Sequence, residues 1–260
     1  MPAKLDQHFL IDGAAADKIV AAAELRGGER VVEIGPGRGV LTERLLGVGA
    51  RVTAVEFDPE LADRLRRKYI DGNLDVIHSD WLRLDLSSLP APAKIVSNLP
   101  YSVATPILQR LLDWPAWTIA VLMFQKEVAD RILAPEGTKP YGILSLSVRI
   151  KADAERLCDV GRESFRPPPK VESSVVVLRR LSRTRLPNEV AERDFFRVVK
   201  AAFGQRRKMA AKNLAAEFGA ERAAVEKHFR ACSLRKDARA ETVPLKAFIE
   251  LTQRLCESGA

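Results

Sequence analysis

The segment Arg30-Val31-Val32-Glu33-Ile34-Gly35-Pro36-Gly37-Arg38-Gly39-Val40-Leu41 decides the fold. Val31, Val32 and Ile34 give its first part the character of a strand buried on both faces. Glycines at 35, 37 and 39 then break the run and allow a sharp turn. From Val40 onward, Leu41, Leu45 and Val48 recur at the period of a helix. The same alternation continues outward. Arg51–Glu56 reads as the next strand. Pro59 opens a helix that Leu61, Leu65 and Tyr69 continue. Asp75–His78, Lys94–Ser97 and Thr118–Phe124 read as further strands. Strands alternating with helices predict a mainly parallel sheet with helical crossovers. Leu144–Lys151 and Ser173–Arg180 are also β-rich, but the prolines of Arg166-Pro167-Pro168-Pro169-Lys170 lie between them. Proline cannot occupy a helix interior, so the pair is expected to be antiparallel at the sheet edge. Arg183–Val190 reads as a linker, and Asp194–Phe203, Ala210–Phe218 and Pro244–Leu255 read as helices. The expected division is residues 1–182, an α/β domain, and residues 183–260, a small helical domain.

The chain has 260 residues, 47% hydrophobic and 29% charged, enough for packed cores. Its longest uninterrupted apolar stretch, around Ile119 to Phe124, falls far short of the roughly 20 residues of a bilayer span. No membrane partner is expected. The N-terminus lacks the apolar core of a signal peptide. Three cysteines (Cys158, Cys232, Cys256) and three histidines (His8, His78, His228) are scattered, so neither a disulfide framework nor a metal site is expected. A cytoplasmic location follows from that cysteine usage. The absence of a long apolar heptad pattern points to a monomer. The net charge of +8 is unevenly spread. Residues 151–260 hold 24 Lys+Arg against 15 Asp+Glu, whereas the first 150 residues are nearly neutral. A basic second part favours a polyanionic partner, nucleic acid above all.

The glycine loop has an acidic companion. Glu56 lies 21 positions after Gly35, at the end of the next strand, where a carboxylate can accept both hydroxyls of an adenosine ribose. A dinucleotide site would want glycine at the position of Val40, so that a pyrophosphate sits on the helix N-terminus. S-adenosylmethionine carries no phosphate, and its sulfonium suits a pocket edged by Glu33, Glu56 and Asp80. A second string, Ser97-Asn98-Leu99-Pro100-Tyr101, follows the fourth strand. Ligand sites of open α/β sheets gather at such strand ends. The exocyclic amine of adenine is a poor nucleophile because its lone pair is delocalised into the ring. Two acceptors on its N–H bonds, the Asn98 side chain and a backbone carbonyl near Leu99, would draw that pair out of conjugation. Pro100 stiffens the turn, and Tyr101 offers a face for a flipped base.

These strings resemble the KsgA/Dim-type small-subunit ribosomal RNA adenine dimethyltransferases. The resemblance runs through Asp6-Gln7-His8-Phe9-Leu10, Val32-Glu33-Ile34-Gly35-Pro36-Gly37, Glu56-Phe57-Asp58, Ser79-Asp80 and Asn98-Leu99-Pro100-Tyr101. It continues through Phe124-Gln125-Lys126-Glu127-Val128-Ala129, Tyr141-Gly142-Ile143-Leu144-Ser145, Phe165-Arg166-Pro167-Pro168-Pro169-Lys170-Val171 and Gln205-Arg206-Arg207-Lys208. It implies a Rossmann-like class I methyltransferase with a seven-stranded, mainly parallel sheet and a small C-terminal helical domain. It implies S-adenosylmethionine as cofactor and S-adenosylhomocysteine as product. His8, Leu10, Gly35, Gly37, Glu56, Phe57, Asp80, Trp81 and Asn98 then match cofactor positions, with Glu56 on the ribose, Asp80 on the adenine amine and Trp81 beside the ring. His8 stands where many bacterial members carry Asn. Asn98, Leu99, Pro100 and Tyr101 would hold the target adenine, with Phe165 as a second stacking face. The implied product is N6,N6-dimethyladenine at two adjacent adenines near the 3′ end of small-subunit rRNA, made in a pre-ribosomal particle during subunit biogenesis.

The basic cluster Arg206, Arg207, Lys208 and Lys212 is expected to contact rRNA phosphates. Three rival readings stand beside this one. The first is an Erm-type dimethyltransferase acting on large-subunit rRNA. The second is a non-catalytic ribosome-assembly factor on the same fold. The third is a nucleotide-dependent dehydrogenase, which Val40 at the last glycine position disfavours.

Overall fold

The structure is a computed structural model and describes residues 8–70, 72–205 and 207–257. Its strands are β1 (Phe9–Leu10), β2 (Arg30–Ile34), β3 (Arg51–Glu56), β4 (Leu74–His78), β5 (Ala93–Asn98), β6 (Trp117–Gln125), β7 (Ala152–Val160), β8 (Phe165–Arg166) and β9 (Ser173–Arg180). Its α-helices are α1 (Gly13–Ala22), α2 (Val40–Gly47), α3 (Pro59–Lys68), α4 (Ala104–Asp113), α5 (Lys126–Leu133), α6 (Ile143–Arg149), α7 (Glu192–Phe203), α8 (Ala210–Phe218), α9 (Arg222–Ala231) and α10 (Leu245–Glu257).

Among the described residues the main sheet has seven strands in the order β4-β3-β2-β5-β6-β9-β7. The pairs β4–β3, β3–β2, β2–β5 and β5–β6 are parallel, and β9 joins β6 antiparallel. The Rossmann-like α/β expectation therefore holds. Strand order reverses beside β2, so the carboxyl ends of β2 and β5 flank a topological switch point. Local chemistry fixes the connections. Asp58 caps α3, its Oδ1 accepting from Glu60 N at 2.9 Å and Leu61 N at 3.3 Å, and Pro59 supplies a pre-set φ at the first turn. Gly39 precedes α2 at φ +83°, and a Cβ there would meet Leu65 Cδ2 at 2.8 Å. Glycine at that position thus serves both the turn and the close approach of α3.

The chain forms two compact units, residues 1–129 with 153–180 and residues 130–152 with 181–260. The first has its core around Ile19, Val31, Leu45, Leu65, Val96 and Phe165. The second has its own, around Tyr141, Leu146, Phe195, Val199, Phe229 and Phe248. This corrects the single division between 182 and 183, because residues 130–152 belong to the second unit. It also corrects the β reading of Leu144–Lys151, which is mostly the helix α6. Leu146 and Ile150 lie one helical turn apart and pack into the same core as Tyr141 and Phe195. Ser145 Oγ accepts from Gly142 N at 3.2 Å and donates to the Arg131 carbonyl at 2.6 Å, which fixes the start of that helix. The edge position belongs instead to β7, whose alternating burial is that of a strand with one solvated face. Residues 183–190 are no free tether either. Leu186 and Val190 are buried in the second core, and Arg185 N donates to the Ile150 carbonyl at 2.8 Å.

Candidate active site

A cavity of about 220 Å³ opens at the carboxyl ends of β2, β3, β4 and β5. His8, Leu10, Gly35, Gly37, Glu56, Phe57, Asp80, Trp81, Asn98, Leu99, Pro100 and Tyr101 all line it. Segments scattered over more than ninety residues of sequence are thereby brought to one place. Phe165 is not among them. It is 0% exposed, packed in the core opposite Leu10, so the stacking role expected of it is corrected. Arg207, Lys208 and Lys212 are exposed in the second unit, between and on α7 and α8, and none forms an ion pair with a described residue. Arg206 lies outside the described residues.

Glu56 ends β3 and is 5% exposed. Its Oε2 accepts from Gly37 N and its Oε1 from Asp58 N, each at 2.9 Å. Each oxygen keeps a further lone pair, so the carboxylate is oriented and still able to accept two vicinal hydroxyls. Burial pushes its pKa up, and the backbone donors partly oppose that. Glu33, one strand over, is buried to 1% exposure. Thr42 Oγ1 donates to its Oε2 at 2.6 Å, and its Oε1 has no partner among the described residues. Burial, reinforced by the nearby Glu56 charge and opposed by the Thr42 bonds, raises its pKa to about 8. Asp80 follows β4. Its Oδ1 accepts from Leu82 N at 2.9 Å, and Arg83 stands 3.8 Å from Oδ2. Phe57 is 55% exposed although apolar, while Trp81 is buried. An exposed phenyl face on the lip of an otherwise covered cavity suits a planar ring.

At the end of β5, Ser97 Oγ donates to the Ile34 carbonyl at 2.5 Å, tying β5 to the glycine loop. Asn98 Nδ2 donates to the His8 carbonyl at 3.1 Å, which leaves Oδ1 as the acceptor facing outward from that bond. Leu99 is buried, its N–H given to the Met123 carbonyl at 3.3 Å. Tyr101 shares a 2.5 Å hydrogen bond with Ser173 Oγ, and burial raises its pKa, so the phenol stays neutral at ordinary pH. The His8 ring lies 5.5 Å from the Tyr101 ring at 32°.

The N-terminal residues reach the site through a two-stranded ribbon. β1 pairs with β8, Phe9 opposite Arg166 and Leu10 opposite Phe165. His8 Nδ1–H donates to the Pro167 carbonyl at 2.8 Å, and Ile11 N to the Ser164 carbonyl at 2.8 Å. Phe9 presses on the glycine loop so closely that a Cβ on Gly37 would meet its ring at 3.1 Å. Phe9, Arg38 and Ser173 carry parts of this arrangement and are absent from the sequence-based set. Phe9 sits inside a recognisable string, but nothing local marks Ser173 as the partner of a tyrosine 72 residues away.

The residues fit S-adenosylmethionine. Glu56 offers an oriented double acceptor, Phe57 and Trp81 offer ring faces, and the carboxylates of Glu56 and Asp80 line a cavity that favours a cation, whereas Glu33, protonated up to about pH 8, adds no charge below it. The profile of the ribosomal RNA adenine dimethylase family matches residues 2–256. The "Ribosomal RNA small subunit methyltransferase A" of Synechococcus elongatus is 39% identical, covering 96% of this chain and 94% of that protein. The protein of the same name from Phenylobacterium zucineum is 44% identical over 94% of this chain and 85% of its own. The crystal structure of a dimethyladenosine transferase from Plasmodium falciparum superimposes with a TM-score of 0.81 at 26% identity, covering 97% and 98% of the two chains. That of the 23S rRNA methyltransferase ErmE does so with 0.74 at 29% identity, covering 95% and 99%. Family profile, relatives and cavity agree, and the chain belongs to the ribosomal RNA adenine dimethylase family.

Proposed function

We propose that this enzyme dimethylates the N6 amines of two adjacent adenines near the 3′ end of small-subunit rRNA, acting as a cytoplasmic monomer on a pre-ribosomal particle. The observation that carries the reading is the placement of Asn98-Leu99-Pro100-Tyr101 at the lip of the cavity that Glu56 and Asp80 line. S-adenosylmethionine supplies an electrophilic methyl on sulfur and leaves as S-adenosylhomocysteine.

The protein's own groups do the rest. Glu56 holds the ribose and Asp80 the adenine amine of the cofactor, with Phe57 and Trp81 beside its ring. His8 and Leu10 close over it on the ribbon. Asn98 Oδ1 and a neighbouring backbone carbonyl accept the N–H bonds of the target amine and localise its lone pair toward the methyl. Tyr101, fixed by Ser173, supports the flipped base. No strong base is needed, because the amine proton becomes acidic once the methyl has been added. The 38–44% identities to proteins named for the small subunit exceed the 29% to ErmE, which favours the small-subunit substrate over the large.

Labelled S-adenosylmethionine offered with unmethylated small-subunit particles, and separately with large-subunit rRNA, tests this. N6,N6-dimethyladenine in the small-subunit RNA alone is the expected product by nucleoside mass spectrometry. Label in large-subunit RNA alone would assign the Erm-type substrate. No label with the cofactor bound would assign the assembly-factor role.

The second unit is proposed to dock rRNA through Arg207, Lys208 and Lys212. Their joint replacement by Ala is expected to reduce the slope of log K against log salt by about 2. Cofactor affinity should not change. An unaltered salt slope would remove this surface from the RNA contact.

A further inference from the structure

The β1–β8 ribbon carries a second feature at the mouth of the cofactor cavity, where Phe9 and Arg38 line the cavity and Arg166 lies outside it. Strand partners directly opposite each other project to the same side of a ribbon, with Cβ atoms about 4.5–5.5 Å apart. Leu10 and Phe165 form one such pair, and both are buried. Phe9 and Arg166 form the other, so they lie on the opposite side. Arg38, from the glycine loop, places its guanidinium 4.4 Å above the Phe9 ring. Arg166 leaves the ribbon on the same side as this stacked pair. Both arginines are exposed. Neither forms an ion pair among the described residues, and Arg166 makes only a 3.4 Å bond from Nη1 to the Phe165 carbonyl.

We propose that Arg38, stacked on Phe9, and Arg166, on the same side of the ribbon, form a phosphate clamp for the RNA backbone beside the target adenine. This rests on the methyltransferase reading given above. His8, the residue before Phe9, stands 5.5 Å from Tyr101, so a strand delivering a base to Tyr101 must run past this ribbon. A guanidinium stacked on an aromatic ring keeps its N–H donors free at the edge, the geometry suited to phosphate oxygens. Asp12, at the base of the ribbon, accepts from Ser164 Oγ at 2.9 Å and Ala15 N at 3.1 Å, and it forms no ion pair with either arginine. The cofactor also carries an anion, its carboxylate, and Arg38 borders its cavity, whereas the exposed Arg166 is not among the cavity-lining residues and stays open to the RNA backbone. Because β1 closes the cofactor cavity, RNA gripping this face also holds that closure shut during transfer.

The test uses the full chain with Arg38→Gln, Arg166→Gln and the double variant, and Arg→Lys at each position. Two quantities are read. One is affinity for unmethylated small-subunit RNA against salt, and the other is calorimetric affinity for S-adenosylhomocysteine without RNA. The double Gln variant is expected to bind RNA on the order of tenfold more weakly, with a salt slope reduced by about 1.5. Lysine should recover most of this, and Arg166→Gln, at a position outside the cofactor cavity, should leave cofactor affinity unchanged. A wild-type salt slope in the double Gln variant would overturn the clamp. A loss of cofactor affinity in Arg38→Gln without RNA would instead assign Arg38 to the cofactor carboxylate, which also overturns it. Wild-type protein that fails to bind or methylate small-subunit RNA would sink the underlying reading, and that outcome is visible before any variant is made.

Discussion

Asn98→Ala is expected to lower the rate of methyl transfer by about 10²–10³, the usual effect of removing one aligned hydrogen-bonding group that acts on a developing charge. The Asn98 amide has two duties, and they can be separated. Its Nδ2 bonds the His8 carbonyl at 3.1 Å and holds the end of the ribbon. Its Oδ1 is free to accept from the target amine. Alanine removes both. Asn98→Asp keeps an acceptor but places a negative charge against the His8 carbonyl oxygen and loses the donor. If Oδ1 is the catalytic atom, the aspartate variant retains part of the rate and loses cofactor affinity, whereas alanine loses both. Single-turnover rates at saturating cofactor separate the two effects. Equal rates for alanine and wild type at saturation would leave Asn98 with a purely structural role. A thermal melt close to wild type is expected for both variants, since Asn98 is half-buried at a strand end and not part of either core.

Much of this site is legible in the sequence because its parts are locally encoded. The strand β2, the glycine turn and α2 follow one another without interruption, and each carries its own periodicity. Pro59 announces the start of α3 by its pre-set φ, and the Asp58 cap appears only in the structure. Glu56 and Asn98 follow from strand ends, where a parallel sheet must present ligand-facing residues. What is illegible depends on distant partners. β1 and β8 are two residues each, separated by over 150 positions, and their pairing exists only because Leu10 and Phe165 share a buried side. Phe165 is aromatic and adjacent to a proline-rich turn, which suits both a stacking face and a core plug, and only the fold distinguishes them. Leu144–Lys151 fails for another reason. Val148 and Ile150 are β-branched, yet Leu146 and Ile150 face a helical core that the local pattern does not reveal. Similarly, nothing near Arg110 signals that its guanidinium donates to the Leu82 and Leu84 carbonyls and so fixes the turn after Asp80.

Glu33 gives the other large effect, and it is one of stability against pH. The carboxyl is buried with one oxygen unpartnered, and burial lifts its pKa from 4.5 to about 8. An unfolded chain ionises this group above its ordinary pKa, while the folded chain resists until about pH 8. The folded state therefore holds more protons across that interval, and stability falls as pH rises, by about 1.4 kcal/mol per unit for a single group. The loss begins above the unfolded pKa and levels off as pH passes the folded one. Glu33→Gln keeps an acceptor for Thr42 Oγ1 and removes the ionisation. Its melting temperature is expected to exceed that of the wild type at pH 8, by on the order of 10 °C, with the gap shrinking toward pH 5. Parallel curves for the two proteins would place Glu33 in a solvated, ordinary state. Glu56 is raised in the same direction by its own burial, and because its charge also acts on Glu33 the comparison reads the two carboxyls together. The same linkage reaches the ligand. Glu33 lines the cavity, and a cation bound there favours its charged form, whereas a neutral thioether does not. Preference for S-adenosylmethionine over S-adenosylhomocysteine should therefore rise between pH 5 and 8 in the wild type and stay flatter in Glu33→Gln. Competition binding at the two pH values reads this directly, and a preference equally pH-dependent in both proteins would show that Glu33 does not sense the sulfonium.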